Sequence, residues 1–232
     1  MIAPAVAPNT PSLADALRAE ARAAPDSGIV EVMNYGRARE GVIPLWAGEG
    51  DMPTPAFISE AATRSLAAGE TFYTWQRGIP ELREALARYH ARLYGREFSP
   101  DEFFVTGSGM QSIQIALAMT AGVGDEVLIP TPTWPNAAAT AGIIGAKPVE
   151  VPMTLGNAGW SLDLDRLAAA AGPRTRALFV VSPSTRPAGP RRAPSWSRSL
   201  RSRVATACGS SPTKPTPASF TARGNARHRS ST

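Results

Sequence analysis

The chain has 232 residues and a formal net charge of +5, with one cysteine, Cys208, and two histidines, His90 and His228. That leaves no material for an intrachain disulfide or a multi-cysteine metal site, and little for a histidine-based metal site or a Ser-His-Asp triad. No basic residue precedes Arg18 and no apolar run reaches the roughly 18 residues of a membrane span, so neither export nor membrane insertion is indicated, and with a single cysteine the expected compartment is a reducing cytoplasm. The charge itself is divided. All 19 Asp and Glu precede residue 185, whereas the last 48 residues hold ten of the 24 Lys and Arg, so the first 184 residues carry −5 and the tail +10. The basic balance is a property of the tail and is no nucleic-acid signature of the folded part.

In chain order, residues 12–24 open with Ser12 in an N-cap position and continue with strong helix formers, which predicts a short amphipathic helix. Residues 43–46 read as a strand running into a loop over 47–55, dense in Gly and Pro. Helix resumes over 57–68. A longer helix starts at Pro80 and runs to about Tyr94, with Leu82, Leu86, Tyr89 and Leu93 at helical spacing. His90, among its Arg and Ala, reads as a surface residue. Strand and helix then alternate over 103–106, 112–121, 126–130, 136–144, 147–151 and 177–181, without an internal repeat. Short buried strands between helices predict an α/β fold with a mostly parallel sheet covered by helices.

Two places on this pattern carry chemistry. Val105-Thr106-Gly107-Ser108-Gly109-Met110-Gln111-Ser112 puts a glycine-rich turn between a strand and a helix. Free backbone N–H groups and the positive end of the helix dipole suit such a turn to a phosphate, although tight strand-to-helix geometry alone also uses glycine. The third glycine of a dinucleotide fingerprint is missing. The next strand ends in Pro130-Thr131-Pro132-Thr133-Trp134-Pro135-Asn136, on the carboxyl edge where ligands of α/β sheets sit. Trp134 there either stacks on a flat ring, worth about 1 kcal/mol beyond its burial, or covers the sheet edge as a core residue. Tyr73 and Trp75, taken alone, form an aromatic patch at a loop.

Five segments, in order, resemble a known family: Gly48-Glu49-Gly50-Asp51-Met52-Pro53-Thr54-Pro55; Tyr73 through Gly78-Ile79-Pro80-Glu81-Leu82-Arg83-Glu84-Ala85-Leu86; the turn at 105–112; Gly124-Asp125-Glu126-Val127 followed by 130–134; and Phe179-Val180-Val181-Ser182-Pro183-Ser184. Over roughly residues 28–184 the chain resembles the first half of a fold-type I pyridoxal-phosphate enzyme of the class I/II aminotransferase family. The resemblance implies the large domain of the pyridoxal-phosphate-dependent transferase fold, incomplete, with N-terminal pieces of a small domain. It implies pyridoxal 5'-phosphate as cofactor, amino acid and 2-oxo acid substrates exchanging an amino group in a two-stage cycle, and a homodimer. Ser108, Gly109 and Met110 would donate to the cofactor phosphate, and Trp134 would lie against the pyridine ring. Gly48 would approach the substrate carboxylate through its N–H, and Tyr73 would reach the cofactor phosphate of a neighbouring subunit. A lyase, decarboxylase or racemase of the same fold would share these motifs.

The resemblance stops at Ser184. The family continues with N-P-T-G, whose asparagine binds the cofactor's ring oxygen, where this chain has Thr185-Arg186-Pro187-Ala188-Gly189. The later D-E-x-Y strand and the Schiff-base lysine are absent too, so no catalytic residue is assigned. Lys214, in Pro-Thr-Lys-Pro-Thr-Pro, has no strand or helix to aim it and is not expected to be that lysine. The residues from Thr185 to Arg192 can be encoded ACC CGA CCG GCT GGA CCG CGA CGC; one A restored in front gives AAC CCG ACC GGC TGG ACC GCG ACG, which is N-P-T-G-W-T-A-T. The same offset over 205–216 permits H-G-L-W-I-I-A-D-E, then Ala or Thr, then Tyr. Two family motifs in order imply a single-base deletion near Ser184. Residues 1–184 are then the aminotransferase part, and 185–232 a basic, disordered, out-of-frame tail whose only Val, Ile, Leu, Met or Phe residues are Leu200, Val204 and Phe220. The sheet should lack strands and show an open edge, and these 232 residues should form an inactive, truncated version of the enzyme. Taken at face value, the tail would instead be an arm for nucleic acid or acidic surfaces. It has few aromatic residues to stack on bases, and nucleic acid is not the expected partner.

Overall fold

The structure is a computed structural model that describes residues 12–46, 48, 52–157, 159–181, 184–185, 188–189 and 218–222. Its helices are α1 (Ala19–Arg22), α2 (Gly28–Arg37), α3 (Ala56–Ala67), α4 (Pro80–Tyr94), α5 (Gly109–Thr120), α6 (Asn136–Ile143) and α7 (Leu164–Ala170). Its strands are β1 (Glu126–Thr131), β2 (Lys147–Pro152), β3 (Thr154–Gly156), β4 (Gly159–Ser161), β5 (Thr175–Val181), β6 (Ser184–Thr185), β7 (Ala188–Gly189) and β8 (Ala218–Ala222). The chain divides into two compact units, residues 32–112 and residues 1–31 with 113–232. No helix among the described residues is long and apolar enough to cross a membrane.

The second of these units holds a four-stranded sheet in the order β2-β1-β5-β8, every neighbouring pair parallel. Parallel strands need a crossover, and α6 supplies it between β1 and β2. Val127, Leu128 and Ile129 of β1 are fully buried, as a central parallel strand covered on both faces must be. Val127 and Ile129 pack with Leu117, Ala137, Ala141 and Phe179, whereas Leu128 joins Val151, Leu167 and Leu178. Alternate side chains of one strand thus feed two cores. Full burial of a side chain such as Leu128 contributes about 1.5–3 kcal/mol relative to exposure. The Gly124-Asp125 turn ahead of β1 is tied down by Asp125, which accepts from Gly122 N–H at 3.0 Å and from Arg176 Nε at 3.1 Å. Asp163 caps α7, its Oδ1 accepting from the N–H groups of Asp165 (2.9 Å) and Arg166 (3.1 Å).

The α/β class and the parallel sheet read from sequence are present. So are the boundaries at 57–68, 80–94, 126–130, 136–144, 147–151 and 177–181, to within two residues. The helix expected over 112–121 begins three residues earlier, at Gly109, and three further expected elements differ. Over 12–24 the helix is broken into a 3₁₀ turn at Leu13–Ala16 and the short α1. Leu17 and Arg18 between them are extended, and the Arg18 guanidinium donates to the Ile143 carbonyl at 2.9 Å. A helix this short has little cooperative stability to resist such a tertiary bond. Residues 43–46 form no ladder; the Trp46 ring lies over Gly36, where an added Cβ would come within 2.2 Å of it. Residues 103–106 likewise form no ladder, although Phe103 has extended backbone. His90 is a further correction: it is half-buried, with ring centroids of Tyr89, Tyr94, Phe98 and Phe103 between 5.0 and 5.8 Å away. The loop after α4 folds Phe98 and Phe103 back onto that face, which helical periodicity alone does not show.

Where the tail begins, Ser184–Thr185 and Ala188–Gly189 pair antiparallel. Ala218–Ala222 lies parallel to β5, from Ala177 opposite Ala218 to Val181 opposite Ala222. The edge of β5 expected to be open therefore carries β8, because its unpaired N–H and C=O groups offer a ladder to any short extended segment. The other tail residues, Lys214 among them, lie outside the described residues.

Candidate functional site

Within residues 32–112, the segment from Thr106 to Ser112 forms a self-locked turn. Ser108 stands before α5 as its cap, with Oγ accepting from Gln111 N–H at 3.2 Å. Gln111 reaches back, its Oε1 accepting from Gly107 N–H at 2.8 Å. Thr106 Oγ1 donates to the Ser108 carbonyl at 2.8 Å and lies 2.6 Å from Ser112 Oγ. A hydroxyl has one hydrogen to give, so Ser112 is the donor to Thr106. The helix ladder begins with Ser112 N–H bonding to the Ser108 carbonyl at 3.2 Å. The amides of Gly109 and Met110 lie ahead of that first bond, in the turn where a helix leaves its N–H groups unclaimed.

Residues 107–109 are exposed, and the space where a Gly109 Cβ would point is open for 4 Å. No acidic side chain occurs between Val105 and Ser112. A donor set made of backbone N–H groups and hydroxyls, with the positive end of the helix dipole behind it, fits a phosphate. Ser108, Gly109 and Met110 stand at this turn, Ser108 as the cap and Gly109 and Met110 as the first residues of α5. Thr106 and Gln111 are not among the residues that the family resemblance implies, although Ser108-Gly109-Met110-Gln111 has the S-x-x-Q spacing of a capping box.

Trp134 belongs to the sheet unit. It follows the carboxyl end of β1 and precedes α6, an arrangement held in part by Met153 N–H donating to the Thr131 carbonyl at 2.7 Å. Its ring is half-buried and borders a cleft of about 860 Å³ lined also by Glu20, Thr131, Ala138, Gly142 and Lys147. Such a ring has one part packed on the protein and another open to a planar partner.

Tyr73 is fully exposed, and Trp75 is 72% exposed. Gly48 is exposed with nothing within 4 Å of the position a Cβ would take, so its backbone can be approached closely. Glu49, Gly50 and Asp51 beside it lie outside the described residues, as do Ser182 and Pro183 at the end of the strand motif. Close to the turn, Glu102 is held below the ordinary carboxylate range by the Ser99 N–H and by Arg96.

Comparison with known proteins gives a consistent result. A family model described as aminotransferase class I and II matches residues 40–186. The aspartate/prephenate aminotransferase of Thermus thermophilus is 41% identical over 148 residues, which are 63% of this chain and 38% of that protein. Among solved structures, the aspartate aminotransferase of Rhizobium meliloti superposes with a TM-score of 0.68 at 31% identity, covering 82% of this chain and 47% of its own. The N-succinyldiaminopimelate aminotransferase of Mycobacterium tuberculosis gives 0.71 at 26% identity, covering 84% and 50%. The chain spans about two fifths of the length of the curated relatives it matches.

Proposed function

The chain belongs to the class I and II aminotransferase family, and we propose that it carries the phosphate turn of a pyridoxal 5'-phosphate-dependent enzyme that moves an amino group from an amino acid to a 2-oxo acid. The observation behind this reading is the Ser108 turn, a locked, exposed, acid-free N-terminus with the Gly109 and Met110 amides ahead of the ladder. In the reading, Ser108, Gly109 and Met110 hold the cofactor phosphate, and Trp134 lies against the pyridine ring and shields it from water. Gly48 offers its N–H to the substrate carboxylate. Tyr73, exposed here, reaches toward the phosphate bound by a second copy, which requires a homodimer. When bound, the cofactor supplies an electron sink for negative charge developing at the substrate Cα.

The proton at Cα needs a positioned base, and these 232 residues offer none in the family's place. We read the tail as the shifted frame of the sequence that encodes it. The family match ends at residue 186, at the composition break, which supports that reading. Weak cofactor binding without amino transfer is the consequence for this chain. Fluorescence titration with pyridoxal phosphate tests the site: Trp134→Ala should weaken binding several-fold, and micromolar binding untouched by that substitution would contradict the placement of the ring. A borohydride-reducible adduct at Lys214 would contradict its exclusion as the reactive lysine.

A further inference from the structure

The run 103–106 leads into the Ser108 turn yet belongs to no ladder, so something else sets its path. Arg83, in the first turns of α4 and only 14% exposed along its side chain, reaches across to it. Its Nε donates to the carbonyls of Pro100 at 3.1 Å and Phe103 at 3.3 Å. Its Nη2 donates to the Pro100 carbonyl at 2.9 Å and to Asp101 Oδ1 at 2.5 Å. Arg77 joins from the loop before α4: its Nη1 donates to Asp101 Oδ1 at 3.2 Å, its Nη2 donates to the Asp101 carbonyl, and its own carbonyl accepts from Val105 N–H at 3.1 Å. Gly78, at φ 98°, lies so close beneath Val105 that a Cβ would fall 2.6 Å from Val105 Cγ2. Backbone of positive φ and no side chain is what lets the two segments touch.

A planar guanidinium can bond several carbonyls in fixed directions, and hydrogen bonds to a charged donor are stronger than neutral ones. The grip is specific to this position. Arg88, five residues further on the same helix, is 63% exposed and pairs only loosely with Glu84 at 3.6 Å.

We propose that Arg83 is a positioning residue for the phosphate turn. By holding the Pro100 and Phe103 carbonyls it fixes the run 103–106, and with it the direction in which the Gly109 and Met110 amides point; Arg83 itself touches no ligand. The proposal rests on the phosphate reading of the Ser108 turn. The test uses the full 232-residue chain and two probes without an aldehyde, pyridoxine 5'-phosphate and pyridoxine, so that lysine chemistry does not enter. Equilibrium dialysis gives the ratio of their dissociation constants. A residue that merely supports the fold would weaken both probes alike, whereas a positioning residue changes the ratio.

The wild-type chain should prefer the phosphorylated probe, Arg83→Gln should lower that preference about tenfold, the scale of one charged hydrogen bond, and Arg88→Gln should leave it unchanged. Arg83→Lys, which keeps the charge and loses the fork, should fall between. It decides the matter if Arg83→Gln does not fold, through an intermediate ratio at the wild-type melting temperature. An unchanged ratio in the Arg83 variants, or equal weakening of both probes, overturns the role of Arg83 alone. A wild-type chain with no preference for the phosphorylated probe overturns the phosphate reading, and this proposal with it.

Discussion

The two units of the chain use their apolar side chains in opposite ways. In the sheet unit, Val127, Leu128, Ile129 and Leu167 are fully buried against one another and against helices of the same unit. Between residues 32 and 112, Phe57, Phe72, Tyr73 and Trp75 are 70–108% exposed, and the buried residues on the described helices there are Gly36 and Ala87. The sheet unit is thus accounted for by contacts that its own sequence supplies. The other unit is held by polar clasps, Arg83 on carbonyls and Ser108 with Gln111 at the turn, and by the ring cluster around His90, and it presents Phe57, Phe72, Tyr73 and Trp75 outward. Rings left exposed in one chain are what a second copy would cover, as the proposed homodimer requires.

Substitutions in the two units should separate on this account. Leu128→Ala, which empties a site packed from both sides, should lower the stability of the sheet unit by about 2–5 kcal/mol in urea unfolding. Asp163→Ala should cost about 0.5–2 kcal/mol through loss of the α7 cap, with helical circular dichroism reduced at intermediate urea. Replacing Phe72, Tyr73 and Trp75 together by Ser should shift stability by less than about 0.5 kcal/mol per site while reducing self-association in sedimentation velocity. A large loss of stability there would mean that those rings pack within the chain.

The smallest effect concerns Glu102. Its folded-state pKa is lowered, chiefly by the Ser99 N–H and then by Arg96, so what it contributes is present above the ordinary carboxylate range and is lost as pH falls through the lowered value. The protection of the Ser99 amide, its exchange rate relative to the free-peptide rate at the same pH, should fall as Glu102 protonates, and Glu102→Gln should flatten that dependence.

How much of this was legible in the sequence depended on whether a signal was local. The β1 run Val127-Leu128-Ile129, bracketed by Gly124-Asp125 and Pro130-Thr131-Pro132, declares a buried parallel strand by itself, and the structure places it so. The Ser108 turn was also legible, since capping residues and glycine act within four positions. Residues 43–46 and 103–106 have strand composition, but a strand exists only with a partner ladder, and composition does not say whether one is supplied. Arg18 breaks the first helix through a bond to Ile143, 125 residues away. His90 is enclosed by Phe98 and Phe103 from a loop that helical spacing does not foresee. The Arg83 clasp is of the same kind: an arginine in a helix looks like a solvated charge until the carbonyls it holds are seen.

The most direct test of the central claim, that this is an aminotransferase chain whose tail is read out of frame, is to insert one A after the codon for Ser184 and to express the product beside the present chain. The account predicts a protein longer than 232 residues in which N-P-T-G and D-E-x-Y return in phase. With pyridoxal phosphate it should absorb in the visible and transfer amino groups to a 2-oxo acid such as 2-oxoglutarate, while the present chain does neither. Amino transfer at an ordinary rate by the present chain, or an inert product from the restored frame, would contradict it.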